Sequence, residues 1–105
     1  MNREALDQIA RVFKVFADAS RLAILQSLKS GPKSVGELVE EFDTTQANIS
    51  KHLRVLHDAH ILKREKQGTS AIYSLDDDFV FPLCELVCDK LSRDSRKRID
   101  FDYSI

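Results

Sequence analysis

The sequence predicts a mainly α fold, with four helices followed by a two-stranded hairpin and a fifth helix. Three observations predict it. Apolar residues recur at helical spacing as far as Ala59. That period gives way to two short strand-like runs, Ile61 to Lys66 and Ser70 to Leu75, separated by Gln67-Gly68-Thr69. Helical spacing then returns from Val80 onward.

In the first segment, Ala5, Leu6, Ile9, Ala10, Phe13, Phe16 and Ala17 form one stripe. Val12 and Val15 widen it beyond what one intrachain face needs. Either this helix touches something on two sides, or it is deeply buried in a small core. Asp18 is positioned to cap a second helix, with Arg21 in its first turn. Leu22, Ile24, Leu25 and Leu28 supply its buried face, and Gly31-Pro32 stops it. A short third helix spans about Val35 to Glu41, burying Val35, Leu38, Val39 and Phe42. Asp43-Thr44-Thr45 is a turn, and Thr45 caps a fourth helix running from about Gln46 to Ala59. Its core residues Ile49, Leu53 and Leu56 lie at i, i+4 and i+7. After the hairpin, Asp76-Asp77-Asp78 sets negative charge before the last helix, where the helix dipole favours it. Pro82 is tolerated only within the first turn of that helix. A short helix, a tight turn, a capped helix and a two-stranded hairpin make a winged helix-turn-helix, with the hairpin as the wing.

The 105 residues and 43% hydrophobic content fit one domain with a modest core. We place that domain at residues 1–98 and a tail at 99–105. A domain of this size buries only about 60–70% of its unfolded surface, so a core shared with a second copy adds stability. The N-terminal residues lack the apolar run of a signal peptide, and no stretch is long enough to span a membrane. Two cysteines four residues apart do not make a secreted disulfide scaffold. These features predict a cytoplasmic protein with no membrane partner.

The fourth helix carries the candidate function. With Ile49, Leu53 and Leu56 inward, Ala47, Lys51, Arg54 and Asp58 point outward, flanked by Asn48 and Ser50. Ala47 is small enough for close approach to a groove. Gln46 and Asn48 are amides able to bond an adenine edge twice, while Lys51 and Arg54 suit phosphate or guanine. His52 is expected to border the same face. In the wing, Arg64, Lys66, Gln67 and Thr69 are placed to reach the backbone or minor groove. The net charge is only −1, so a DNA-binding surface has to concentrate cations locally. Residues 51–66 do so, with five basic side chains against two acidic ones. His52, His57 and His60 fall in this span, but His52 and His60 are about 12 Å apart along a helix, too far to share an ion directly. His57 and His60 are closer, yet have no apparent third ligand.

These segments resemble the ArsR-type (arsenic-repressor-like, ArsR/SmtB) family of regulators. Residues 16–25, FADASRLAIL, resemble its second helix, and residues 45–56, TQANISKHLRVL, resemble its recognition helix. Gly68 followed by Ile72-Tyr73-Ser74-Leu75 resembles its wing. The resemblance implies a homodimer joined through the first and last helices. It also implies two recognition helices in successive major grooves of a palindromic double-stranded operator, usually for repression. An inducer, often a metal, metalloid or oxidant, then changes operator affinity. The family's usual metal motifs are absent here. Ser34-Val35-Gly36 stands where arsenic and cadmium sensors carry Cys-Val-Cys, and the last helix lacks the histidine of zinc sensors.

Cys84 and Cys88 lie one turn apart on the stripe Val80, Leu83, Cys84, Val87, Cys88 and Leu91. Three readings stay open. They are small hydrophobes of a dimer interface. They are two soft ligands for a thiophilic metal or metalloid such as As(III), with a third ligand from elsewhere. Or they sense oxidants or reactive sulfur. Towards the end of the chain, Arg93, Arg96, Lys97 and Arg98 form a basic cluster, and Phe101, Tyr103 and Ile105 alternate with Asp100, Asp102 and Ser104. The end from about Ser92 to Ile105 is expected to fray, the alternative being an extended segment that packs on the dimer. Two other function classes fit the sequence less well. A winged-helix interaction module without DNA binding is opposed by the intact Gln46 to Arg54 face. An enzyme is opposed by the lack of a phosphate loop or a nucleophile–base pair.

Overall fold

The computed structural model describes residues 1–94 and 102–105. The helices are α1 (Arg3–Phe16), α2 (Ala19–Leu28), α3 (Val35–Phe42), α4 (Gln46–Asp58) and α5 (Val80–Asp94). The strands are β1 (Lys33–Ser34), β2 (Leu62–Gln67) and β3 (Ser70–Leu75).

Caps set most of the helix starts. Asn2 accepts from the Ala5 N–H at 2.9 Å, and Asp18 accepts from the Arg21 N–H at 3.1 Å. Ser34 and Glu37 close a capping box on α3. The helix ends use left-handed residues. Asp43, at φ 47°, ends α3, and His60, at φ 63°, follows α4. At the second site the Ile61 N–H reaches back to the Leu56 carbonyl at 3.0 Å, which turns the chain into the wing.

The core is one cluster shared by all the helices. Leu25, Leu38, Leu53, Leu56 and Val80 are completely buried, with Ile24, Leu28, Ile49, Ile61 and Leu62 around them. Phe16 closes the cluster from α1 and meets Phe79 edge-on, ring centroids 5.6 Å apart. Val15 packs partly against the cluster, while Leu6, Ile9, Val12 and Phe13 stay exposed in the single chain.

The sheet corrects the sequence reading in two respects. β2 and β3 form the expected two-stranded hairpin, but a short third strand joins it, giving the antiparallel order β1-β3-β2. The extra strand pairs Lys33 with Tyr73 and Ser34 with Ile72. Gln67 also belongs to the ladder, opposite Ser70, so the wing loop is Gly68-Thr69 alone. Gly68 takes φ 63°, the left-handed geometry that tight hairpin loops demand. Lys33 further ties the sheet edge to the helices, because its Nζ donates to Ser27 Oγ at 2.6 Å and Glu41 Oε1 at 2.9 Å.

The far end of the chain is also corrected. Residues 102–105 pack back on the domain: Tyr103 and Ile105 are half-buried. The Lys29 ammonium donates to the Ile105 carbonyl at 2.7 Å while lying 4.8 Å from the centre of the Phe81 ring. α5 continues through Ser92 and Arg93 to Asp94. Arg96, Lys97, Arg98 and the expected domain boundary lie outside the described residues.

Candidate nucleic-acid interface

The turn between α3 and α4 builds the start of the reading helix. Thr45 Oγ1 accepts from the Asn48 N–H at 3.1 Å. Thr44 Oγ1 accepts from Asn48 Nδ2 at the same distance. Asn48 is therefore half-buried and engaged with the turn, and only part of its amide is left for a base edge. With Ile49, Leu53 and Leu56 in the core, Gln46, Ala47, Lys51 and Arg54 are exposed.

Four of the expected residues come together. Gln46 and Ser50 on α4, Arg64 on β2 and Thr69 at the wing tip line one open cleft of about 490 Å³, bounded also by Ser34 and Tyr73. Arg64 pairs with Tyr73 across the ladder. Lys66 is exposed two residues along β2, and strand alternation puts it on the same face as Arg64. Lys51 and Arg54 stand apart from the cleft on the open side of α4. These four residues bring to the cleft an amide, two hydroxyls and a guanidinium, with Lys66 beside Arg64 and Lys51 and Arg54 further out on α4. That set offers donors and acceptors to base edges and positive charge to phosphates.

His52 does not open onto this surface. It is only 4% exposed, and its Nδ1 faces Arg21 Nη1 at 3.4 Å. Burial lowers its pKa, and Lys51 and Arg21 lower it further against the opposing pull of Asp18. Asp18 itself is held below its ordinary value, first by the Arg21 N–H bond to its carboxylate. Sequence reasoning saw Arg21 only as a first-turn residue. Its tie to His52 spans 31 residues, and only the helix-to-helix packing reveals it.

The other two histidines have structural surroundings. His57 stacks edge-on against Tyr73 at 6.4 Å, and His60 supplies the left-handed turn. Cys84 and Cys88 are half-buried free thiols on α5. Burial pushes the Cys84 thiol up, and Cys88 adds to the effect. Among the described residues, no three His, Cys, Asp or Glu side chains are grouped to hold a metal ion. Nor, among them, is any helix long and apolar enough to cross a membrane.

The family model for bacterial regulatory proteins of the arsR family matches residues 18–64, from the α2 cap to the cleft arginine. The arsenical resistance operon repressor of Bacillus subtilis is 39% identical over 88 residues, which cover 81% of this chain and 84% of that protein. The chain belongs to the arsR family. Solved structures extend the likeness to the whole fold. Mycobacterium tuberculosis Rv0081 superposes with a TM-score of 0.80 at 27% identity, covering 94% of this chain and all (100%) of that one. Mb0332 of Mycobacterium bovis, described as a homodimeric winged helix-turn-helix DNA-binding domain, gives 0.73 at 27% identity, covering 97% of this chain and 94% of that one. The arsR family is one of transcription regulators, and its winged helix-turn-helix is the fold found here.

Proposed function

We propose that this ArsR-family chain is a homodimeric repressor that binds a palindromic double-stranded DNA operator. The observation that carries the reading is the cleft joining Gln46 and Ser50 of α4 to Arg64 and Thr69 of the wing, with Lys51 and Arg54 exposed beside it. α4 enters the major groove. Gln46 and Ser50, with the free part of Asn48, read base edges. Lys51, Arg54, Arg64, Lys66 and Thr69 grip the backbone and the adjacent groove. His52 serves from behind, inside the domain.

Dimerisation is supported by two uncovered apolar faces. Leu6, Ile9, Val12 and Phe13 on α1 are exposed, as are Leu86, Val87 and Leu91 on α5, at 40–69% of their surface. Exposed apolar faces of this kind call for a partner. A twofold copy gives each chain the same face to bury. Cys84 and Cys88 then belong to the α5 side of that seam. Burial, which raises the Cys84 thiol pKa, supports a packing role over a thiolate one.

The test is DNA binding by fluorescence anisotropy, using the duplex upstream of the protein's own gene over a salt titration. Tight, salt-sensitive binding that Lys51→Glu abolishes is expected. Absence of any salt-sensitive binding by the wild-type dimer would refute the assignment and favour a winged-helix interaction module.

A further inference from the structure

Arg21 sits where three helices meet. Its side chain is 15% exposed, and its guanidinium bonds to neighbours on both sides. Nε donates to the Val15 carbonyl at 2.7 Å and Nη2 to the Lys14 carbonyl at 3.2 Å. These two carbonyls close the last turn of α1, where the helix dipole favours a cation. On the other side, Nη1 faces His52 Nδ1 of α4 at 3.4 Å, with Asp18 Oδ2 at 3.8 Å steadying it. A donor facing Nδ1 requires a lone pair there, which puts the imidazole proton on Nε2. The guanidinium is planar and rigid, so bonds in several directions fix the geometry between their acceptors as well as the separation.

α1 carries the uncovered apolar face and α4 the reading face. We propose that Arg21 is a positioning residue for operator binding. Through the Lys14 and Val15 carbonyls on one side and His52 Nδ1 on the other, it sets the angle between the dimerisation helix and the reading helix. In a twofold dimer that angle determines how far apart the two reading helices stand. A palindrome demands about one helical turn of DNA, ~34 Å, between them. Loss of the link leaves each DNA-contacting side chain present in each subunit but mis-spaces the pair. The inference rests on the DNA-binding reading above.

The experiment measures affinity for the duplex upstream of the protein's own gene and for a random-sequence duplex of equal length. Arg21→Gln is expected to weaken the first by about tenfold or more. Random-sequence binding and the salt slope should stay unchanged. A direct phosphate contact would instead weaken both duplexes and lower the slope by about one. The His52 variants keep the idea falsifiable should Arg21→Gln fold poorly. His52→Asn retains an acceptor near the Nδ1 position and should bind as wild type, whereas His52→Leu should match the Arg21→Gln loss. The double variant Arg21→Gln/His52→Leu should be no weaker than either single. Additive losses, equal behaviour of the two His52 variants, or a reduced salt slope would overturn the proposal. If the wild type does not distinguish the two duplexes, the DNA-binding reading falls and takes this one with it. If it does and the variants match it, only the positioning role falls.

Discussion

Replacing Phe13 with alanine should break the dimer while leaving the subunit folded. Phe13 lies on the outer face of α1 with 56% of its surface uncovered. A buried aromatic side chain removes about 150–250 Å² from water, so the uncovered part is on the order of 100 Å². At roughly 25 cal/mol per Å² this corresponds to ~2.5 kcal/mol per subunit. A twofold interface contains the residue twice, so the sum approaches ~5 kcal/mol. Ordering of the interface and the methyl group left on alanine offset part of it. We therefore expect the dimer dissociation constant to rise by about a hundredfold or more. Sedimentation equilibrium over a concentration series measures this directly, with circular dichroism verifying that the helices persist. Operator affinity should fall in parallel at protein concentrations below the new dissociation constant. A Phe13→Ala protein with native helicity and unchanged dimerisation would remove the α1 face from the interface and refute the reasoning.

Other perturbations test the reading surface, the fold and the thiols. Gln46→Ala should lose about 1–3 kcal/mol of discrimination at a single operator position. A base-by-base competition assay would show this, and an equal loss on every sequence would mean that Gln46 touches only the backbone. Thr45→Ala removes the cap of α4 and should cost ~1 kcal/mol in urea denaturation; no change would mean that the Thr44–Asn48 bond holds the turn alone. His52 and Asp18 both have folded pKa values below their ordinary 6.5 and 3.8, so the unfolded chain binds more protons at acidic pH. Their stabilisation is complete above 6.5, declines below it as His52 protonates in the unfolded chain, and declines again below 3.8 through Asp18. A denaturation midpoint that climbs on acidification from neutral would contradict that sign. Cys84, its thiol pushed up by burial, should alkylate more slowly at neutral pH than a free thiol, and Cys84→Ser should leave operator affinity unchanged. Rapid alkylation with loss of DNA binding, or a response to As(III) or persulfide, would restore the sensing readings.

The reading helix was legible because its signals are local. Ile49, Leu53 and Leu56 keep one period, Thr45 caps the start, and Gly68 marks the wing loop. The features that escaped depend on partners far along the chain or on too little sequence. Two residues, Lys33 and Ser34, contain no period from which a strand could be inferred, and only β3 makes them one. His52 lies at the margin between the inner and outer faces of α4. Arg21, 31 residues away, draws it inward. The left-handed residue after α4 is His60 where glycine would have been the visible signal. The docking of Ile105 rests on Lys29, 76 residues distant, so the alternation at the chain end offered a packed extended segment only as the alternative to fraying. The α1 stripe was legible as too wide for one face, and the structure divides the excess: Val15 packs partly on the core while Val12 stays on the surface.

The smallest strand has a mechanical consequence. Ser34 is at once the ladder partner of Ile72 and the cap of α3, while Lys33 is both the partner of Tyr73 and the ion-pair partner of Glu41 on that helix. No flexible joint is left between hairpin and helix. The wing and the first helix of the reading motif form a single lever, and neither can tilt without carrying the other. What is left to vary is how that lever is aimed, through the angle between α1 and α4 within each subunit and across the axis that joins two of them.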